Sequence, residues 1–277
     1  MTTAVRNSLY TGPLRAVVLD WAGTAVDYGC LGPAAVFVEV FKKFGITVTT
    51  AEARQFMGLK KIDHIRSMCR LPSVAAGWQS VHGRPPDERD VEALYAETEP
   101  MMVSTIASHA EPIPGLLPFV QAMREKDIKI GSSTGYTRPM MEVMVPEARR
   151  RGYLPDAVVT SSDVPDGRPC PWMCYLNAIQ LKVYPMQAMV KIGDTPSDIQ
   201  EGLNAGMWTI GLTKSGNLLG LPAEACERLE PTELSHRLAC AERELTAAGA
   251  HFTAEGIWAV RPIIEEINAR LAAGEQP

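Results

Sequence analysis

Short runs of apolar residues alternate along the chain with longer stretches in which apolar residues recur at helical spacing. Such near-continuous apolar runs are typical of buried parallel strands. The runs are LRAVVLDW (14–21), IKIGSST (128–134), DAVVTS (156–161), MVKIGD (189–194) and MWTIGL (207–212). A last short strand is predicted around His251–Thr253. Because strands alternate with helices, we predict an α/β fold with a Rossmann-like, doubly wound parallel sheet.

The gap between the first and second predicted strands is much longer than a single crossover. Residues 28–108 carry helical periodicity without a convincing strand, in segments such as GPAAVFVEVFKKFG and TAEARQFMGLKKIDHIRSMC. The segment SVHGRPPDERD is the strongest loop-like break in it. We therefore predict a helical cap domain (28–108) inserted into an α/β core domain that residues 1–27 and 109–277 form.

Composition places the 277-residue chain among ordinary globular proteins, with 46% apolar and 21% charged residues. A formal net charge of −5 gives no electrostatic footprint for nucleic acid or an anionic membrane, so neither partner is expected. No stretch is long and apolar enough to cross a bilayer. The six cysteines form no CxxC pair and the N-terminal residues lack a signal-peptide core, so we expect a cytoplasmic location.

Carboxylates stand at the ends of two predicted strands. Asp20 ends the first strand in LDWAGTAVD, and Asp194 ends the fourth in IGDTPSD, with Asp198 one helical turn further on. In a doubly wound sheet these strand ends can be neighbours at the edge where such sheets bind ligands. Converging carboxylates repel each other unless a cation neutralises them, and hard oxygen ligands favour Mg²⁺. Taken alone, Asp20 is equally well interpreted as a turn or capping aspartate.

Two further segments offer groups that bind anions. The second strand ends in GSSTGYTR, where the Thr134 hydroxyl and the freed Gly135 amide could cradle a phosphoryl group. Arg168, in DGRPCPWM, could fork onto the same group. An ordinary small-residue turn and a surface arginine before proline are the alternative interpretations. None of these features is decisive alone, but their order and spacing together are specific.

With this combination of motifs the sequence resembles the haloacid dehalogenase superfamily. The resemblance is carried by the DxxGT start, the Thr-Gly turn, the basic residue before Pro-x-Pro and the GDTxxD strand end. It implies an aspartyl-phosphate mechanism with Asp20 as the nucleophile. It also implies that Mg²⁺ is held by Asp20, the backbone carbonyl of Ala22 and Asp194, with Asp198 in support. Thr134 and Arg168 would contact the phosphoryl oxygens.

Position 22 departs from the phosphatases of that superfamily. They usually carry a second aspartate two residues after the nucleophile, which protonates an alkoxide leaving group, and alanine cannot fill this role. Ala22 therefore indicates either a damaged phosphatase or an enzyme whose leaving group is not an alkoxide. The alternatives are a phosphomonoesterase or phosphomutase acting on a sugar phosphate, and a catalytically silent binding or scaffold protein.

The predicted cap contains a candidate for different leaving-group chemistry in MGLKKIDHIR. Lys61 and His64 stand three residues apart on a predicted helix and therefore share a face. A desolvated lysine can form a Schiff base with an aldehyde, and the iminium is an electron sink for breaking an adjacent C–P bond. His64 could shuttle the protons that this chemistry requires. A solvated basic helix face with a surface histidine is the alternative.

The motifs DWAGTAVDYGC, MGLKKIDH, GSSTGYTR and GRPCPWMCY resemble the phosphonoacetaldehyde hydrolase (phosphonatase) family, over all of the chain except its C-terminal fifth. The resemblance implies hydrolysis of a small phosphonate, phosphonoacetaldehyde, in the degradation of 2-aminoethylphosphonate. It implies that Lys61, and not Lys60, forms the imine, and that the protein is a homodimer joined through the cap. Met57 would exclude water near the imine, and Cys30 and Tyr136 would tune the lysine, although each also fits a purely structural role.

Overall fold

The computed structural model describes residues 9–277, so residues 1–8 of the predicted core domain lie outside the described residues. Six parallel strands form one sheet. They are β1 (Ala16–Leu19), β2 (Lys129–Thr134), β3 (Ala157–Thr160), β4 (Met189–Gly193), β5 (Trp208–Leu212) and β6 (Phe252–Ala254). Their order across the sheet is β3-β2-β1-β4-β5-β6. The predicted parallel α/β sheet is therefore confirmed, with every strand at its predicted place.

The register of the central strands brings their carboxyl ends to one level. Leu19 of β1 pairs with Ser132 of β2 on one side and with Ile192 of β4 on the other. Strands β1, β4 and β5 are buried along their whole length, because helices pack on the sheet and exclude water from it. Asp20 and Asp194, which follow β1 and β4, therefore lie at the same edge of the sheet.

The long segment between β1 and β2 is helical, as predicted. Its helices are α1 (Leu31–Lys43), α2 (Thr50–Arg54), α3 (Lys61–Cys69), α4 (Pro72–His82) and α5 (Glu88–Thr105). Helix α5 packs against both α1 and α3, so these helices share an apolar interior that includes Phe37, Phe41 and Leu94. The exact division into a cap of residues 28–108 and a core stays a prediction.

Two linkers join this helical segment to the sheet, and they lie side by side. Val26 of the first linker forms a bridge to Pro112 of the second. The buried Asp27 carboxylate accepts hydrogen bonds from the backbone amide of Gly32 (3.1 Å) and from His109 Nδ1 (3.0 Å). Asp27 therefore connects the start of α1 to the point where the chain returns toward the sheet.

The predicted helical stretch over residues 50–69 is interrupted, which the periodicity did not indicate. Helix α2 ends at Arg54 and α3 begins at Lys61, and a loop of residues 55–60 separates them. Gly58 in this loop has a φ of +88°, in the left-handed region that ends a helix and favours glycine. This loop is the part of the helical segment that reaches the carboxyl edge of the sheet.

The remaining helices surround the sheet. They are α6 (Leu116–Arg124), α7 (Arg138–Arg150), α8 (Trp172–Leu181), α9 (Pro196–Asn204), α10 (Ala223–Arg228), α11 (Pro231–Ala247) and α12 (Arg261–Ala272). The last three were not predicted from the sequence. Helix α12 buries Ile264, Ile267 and Leu271 in the core. Among residues 9–277, no helix combines the length and the hydrophobicity needed to traverse a bilayer.

Candidate active site

The carboxyl ends of β1, β2 and β4 and the loop of residues 55–60 enclose a cavity of about 20 Å³. Most of the predicted site residues line it. They are Asp20, Ala22, Cys30, Met57, Lys61, Thr134, Gly135, Tyr136, Arg168 and Asp194. The other two, His64 and Asp198, are fully buried but do not line the cavity. The structure therefore brings residues from both predicted domains to one point.

Asp20 presents one fixed and one free carboxylate oxygen. It follows β1 directly, and its backbone amide donates a hydrogen bond to the carbonyl of Ile192 (2.9 Å). Oδ1 accepts a hydrogen bond from Arg168 Nη2 (2.7 Å). No group of residues 9–277 donates a hydrogen bond to Oδ2. The free oxygen of a buried, oriented carboxylate is suited to act as a nucleophile.

Asp20, Asp194 and Asp198 each place a carboxylate oxygen within 4.8 Å of the others. Asp194 is held by the Thr24 hydroxyl (3.2 Å) and by the backbone amide of Asn217 (2.6 Å). Burial raises the pKa of Asp194 well above its ordinary value, and the neighbouring carboxylates raise it further. A cation among the three carboxylates would remove this repulsion.

In this network the buried carboxylates outnumber the cations that form ion pairs with them by four to two. Its four buried carboxylates are Asp20, Asp194, Asp198 and Glu201. Arg168 and Lys191 are the buried cations that form ion pairs with them in the described part of the chain. The carbonyl oxygen of Ala22 accepts no hydrogen bond from residues 9–277 and is a further hard ligand. The charge and the oxygen donors therefore fit a divalent cation, and its assignment as Mg²⁺ stays a prediction.

Arg168 is tied to three carboxylates. Its Nη2 also donates to the backbone carbonyl of Ser133 (2.7 Å), Nη1 pairs with Asp198 Oδ1 (2.9 Å), and Nε donates to Glu201 Oε2 (2.9 Å). The side chain is fully buried. The structure shows the hydrogen bond from Arg168 to Asp20. A contact between Arg168 and phosphoryl oxygens stays a prediction.

The turn after β2 has the form expected of an anion cradle. The Thr134 hydroxyl accepts a hydrogen bond from the backbone amide of Tyr136 (3.1 Å). The Gly135 amide donates no hydrogen bond within residues 9–277. A Cβ on Gly135 would clash with the carbonyl of Leu59 and lie 2.8 Å from that of Gly58. Glycine is therefore required here because the loop from the helical segment packs directly onto the turn.

Lys61 lies buried at the start of α3, with 3% of its surface exposed. Its Nζ is 4.8 Å from the centre of the Tyr136 ring and 5.8 Å from that of Phe37. No acceptor among residues 9–277 takes a hydrogen bond from Nζ. Burial lowers the pKa of Lys61 from 10.5 to about 8, so a useful fraction of the amine is neutral near physiological pH. Burial also raises the pKa of the nearby Cys30 thiol, which therefore stays neutral.

His64 is stacked on the Phe37 ring, with centroids 3.9 Å apart, and its Nε2 bonds to the carbonyl of Ala53 (2.9 Å). A carbonyl accepts only, so Nε2 carries the hydrogen and Nδ1 keeps its lone pair. Nδ1 has no partner among the described residues. Burial lowers the pKa of His64 well below its ordinary value, and Lys61 lowers it further. His64 is therefore neutral, and its part as a proton shuttle stays a prediction.

The loop of residues 55–60 closes the cavity by packing on the turn that begins α9. Ser197 Oγ donates to the carbonyl of Met57 (3.4 Å). A Cβ on Gly58 would clash with Ser197 Oγ and lie 2.5 Å from Thr195 Oγ1. Arg54 adds a hydrogen bond to Asn217 Oδ1 (3.0 Å). Since a cavity of about 20 Å³ holds little more than one water molecule, this arrangement is closed to substrate.

Sequence reasoning missed two buried charged residues beside the site. Lys191 lies in the middle of β4, with Nζ 2.7 Å from Asp198 Oδ1. Glu201 lies on α9, one turn beyond Asp198, and bonds to Arg168. A lysine within the apolar run MVKIGD was a visible signal, because a charge in a buried strand requires a partner. Pro33 and Thr195 also line the cavity and were not predicted to do so.

Comparison with known proteins shows similarity along the whole chain. A family model of haloacid dehalogenase-like hydrolases matches residues 14–206. A phosphonoacetaldehyde hydrolase of Syntrophobacter fumaroxidans is 56% identical over 277 residues, 100% of either chain. One of Bacillus cereus is 47% identical over 255 residues, 92% of this chain and 97% of the relative. The crystal structure of a phosphonoacetaldehyde hydrolase-like protein from Oleispira antarctica has a TM-score of 0.96 and 39% identity, covering 100% of both chains.

Proposed function

This chain belongs to the haloacid dehalogenase-like hydrolase family, and we propose that it hydrolyses the C–P bond of phosphonoacetaldehyde to give acetaldehyde and phosphate. The observation that carries the proposal is that Lys61 and Asp20 line the same small cavity. Cleavage of a phosphate ester needs no amine, because oxygen is already a tolerable leaving group. Cleavage of a C–P bond needs an electron sink for the carbon leaving group, which a desolvated lysine provides by forming an imine.

The first step joins the substrate to Lys61. The neutral amine adds to the aldehyde carbon and water leaves, so that a C=N bond replaces C=O. Burial holds the pKa of Lys61 at about 8 and keeps part of the amine unprotonated. The face of the Tyr136 ring then stabilises the positive charge of the iminium without removing a proton. Met57 and Cys30 line the cavity and limit the access of water.

The second step transfers the phosphoryl group to Asp20. Oδ2 attacks phosphorus while Arg168 holds Oδ1, and the electron pair of the C–P bond moves into the iminium to give an enamine. Thr134 and the Gly135 amide hold the phosphoryl oxygens in line. Asp20, Asp194 and the Ala22 carbonyl would hold Mg²⁺, which would supply positive charge that shields the phosphonate from the carboxylates. Asp198 supports this site through its bonds to Lys191 and Arg168.

The last steps restore both residues. The enamine carbon takes up a proton, water hydrolyses the imine, and acetaldehyde leaves the free Lys61 amine. A second water hydrolyses the acyl phosphate on Asp20 and releases phosphate. His64 accepts and returns protons at Nδ1, where its lone pair is free. Because burial disfavours its imidazolium, His64 is a weak base that holds a proton only in passing and gives it up readily.

Substrate entry requires the helical segment to move, since the cavity of about 20 Å³ cannot contain phosphonoacetaldehyde. In this proposal residues 28–108 are a mobile cap and the remainder is a fixed core. The homodimer joined through the cap and the cytoplasmic location stay predictions.

The proposed function is tested by phosphate release from phosphonoacetaldehyde, with and without Mg²⁺, beside p-nitrophenyl phosphate. We expect Mg²⁺-dependent release from the phosphonate and little from the ester, because Ala22 replaces the general acid that an ester requires. Faster turnover of the ester would favour a phosphomonoesterase and overturn the proposal. Inactivity toward both substrates, with Mg²⁺ bound, would also contradict it.

A further inference from the structure

Glu201 is a buried carboxylate that lies outside the cavity and yet bonds to Arg168, which holds Asp20, and to Ser133, which itself bonds to Arg168. Its Oε2 accepts hydrogen bonds from Arg168 Nε and from Ser133 Oγ, both at 2.9 Å. Lys191 Nζ lies 3.6 Å from the same oxygen. Glu201 therefore meets Arg168 at Nε, while the nucleophile meets it at Nη2.

The three ion pairs of Arg168, one at each guanidinium nitrogen, fix the plane of the group. A guanidinium is planar, so a bond at Nε and a bond at one terminal nitrogen leave the group no free rotation. Glu201 holds Nε and Asp198 holds Nη1, and these carboxylates are three residues apart on one face of α9. Nη2 is then directed at Asp20 Oδ1.

We propose that Glu201 is a positioning residue for phosphoryl transfer. It sets the plane of Arg168, and Arg168 in turn sets which Asp20 oxygen is held and which faces phosphorus. The inference rests on the proposed function, because it concerns the attack of Asp20 and not the imine on Lys61. Ser133 assists by bonding to both Glu201 Oε2 and Arg168 Nη2 (3.1 Å).

A purely structural role for Glu201 predicts a different result. Glu201 also lies near the buried Lys191, and its loss could weaken α9 and the whole site. Such damage would reduce imine formation and phosphoryl transfer together. A positioning role reduces phosphoryl transfer alone, because Lys61 lies on α3 and makes no hydrogen bond or ion pair with Glu201 in the described chain.

The test is Glu201→Gln with two readouts, phosphate release from phosphonoacetaldehyde and borohydride trapping of the Lys61 imine. We expect phosphate release to fall by about 30-fold, since a small misplacement of a reacting group costs one to two orders of magnitude. Trapping should stay within about twofold of the wild type. Glu142→Gln, an exposed glutamate on α7, is the control and should match the wild type in both readouts.

Phosphate release at the wild-type rate, or equal losses in both readouts, would overturn the inference. If Glu201→Gln does not fold, Ser133→Ala decides instead, with a loss of about fivefold in phosphate release and unchanged trapping expected. If Ser133→Ala then releases phosphate at the wild-type rate, or loses phosphate release and imine trapping equally, the positioning role of Glu201 is contradicted. A wild-type protein that neither releases phosphate nor is trapped refutes the proposed function itself.

Discussion

Lys61 Nζ lies 4.8 Å from the centre of the Tyr136 ring, and both side chains line the cavity that contains Asp20. The lysine begins α3 and the tyrosine follows β2, so the pair joins the helical segment to the sheet edge. An aromatic face stabilises an ammonium group only modestly and accepts no strong hydrogen bond from it. Burial therefore dominates and lowers the pKa of Lys61 to about 8.

The lowered pKa of Lys61 predicts the acid limb of the pH profile. Below pH 8 most of the amine is protonated and cannot attack the aldehyde, so kcat/KM should rise with pH and level off above about 8. An ordinary lysine would give a rise that continues to about 10.5. The pH profile of phosphonoacetaldehyde turnover checks this. A rise that continues unchanged beyond about pH 10 contradicts the assignment.

Lys61→Met should be inactive but more stable than the wild type near pH 7. The unfolded lysine binds its proton up to pH 10.5 and the folded one only up to about 8, so below pH 8 the buried charge costs the fold roughly 2–3 kcal/mol. As the pH rises from 8 to 10.5, Lys61 is protonated in the unfolded chain but neutral in the folded one, so the wild type becomes more stable. The stability advantage of the variant therefore shrinks over this range. Urea unfolding at about pH 7 and 10 measures it. A stability advantage of Lys61→Met that is larger at pH 10 than at pH 7 would contradict the lowered pKa of Lys61.

Gly58→Ala should impair closure of the cap. The new Cβ would meet Ser197 and Thr195, and the φ of +88° adds backbone strain of about 1 kcal/mol. We expect kcat/KM for phosphonoacetaldehyde to fall by at least about tenfold. Gly83→Ala is the matched control, since Gly83 has a φ of +74° and nothing within 4 Å of its added Cβ. Equal losses in the two variants would show that strain, and not the contact with α9, is responsible.

Asp194→Asn should weaken Mg²⁺ binding and nearly abolish turnover. The amide keeps the shape of the side chain but lacks the charge that a divalent ion requires. Titration calorimetry with MgCl₂ should show binding weakened by at least about tenfold, and phosphate release should fall by more than about 100-fold. Asp166→Asn, an exposed aspartate, serves as the control. Undiminished Mg²⁺ affinity in Asp194→Asn would move the metal site elsewhere.

The strands and the carboxylates were predictable because each has a local signature. A buried strand appears in the sequence as a short apolar run. A carboxylate at the end of that run lies at the edge of the sheet, and no information from distant parts of the chain is needed to place it there. Asp20 and Asp194 could therefore be placed together before the pairing of β1 with β4 was known.

The rest depends on contacts between distant parts of the chain. The loop of residues 55–60 carries helical periodicity, and only its packing on Thr195 and Ser197 explains why Gly58 leaves the helix. The hydrogen bond from Arg168 to Glu201 likewise joins two residues that come together only when the chain folds. Helices α10 to α12 were missed because no chemical motif drew attention to their apolar positions.

The most direct measurement is borohydride reduction of the protein in the presence of phosphonoacetaldehyde, followed by peptide mass mapping. The proposed mechanism predicts an ethyl adduct, from the reduced acetaldehyde imine, or its phosphonoethyl counterpart, on Lys61. It predicts no adduct and collapsed phosphate release in Lys61→Arg, whose guanidinium cannot form an imine, and normal trapping in Lys60→Arg. An adduct on Lys60, or phosphate release by Lys61→Arg at the wild-type rate, would contradict it.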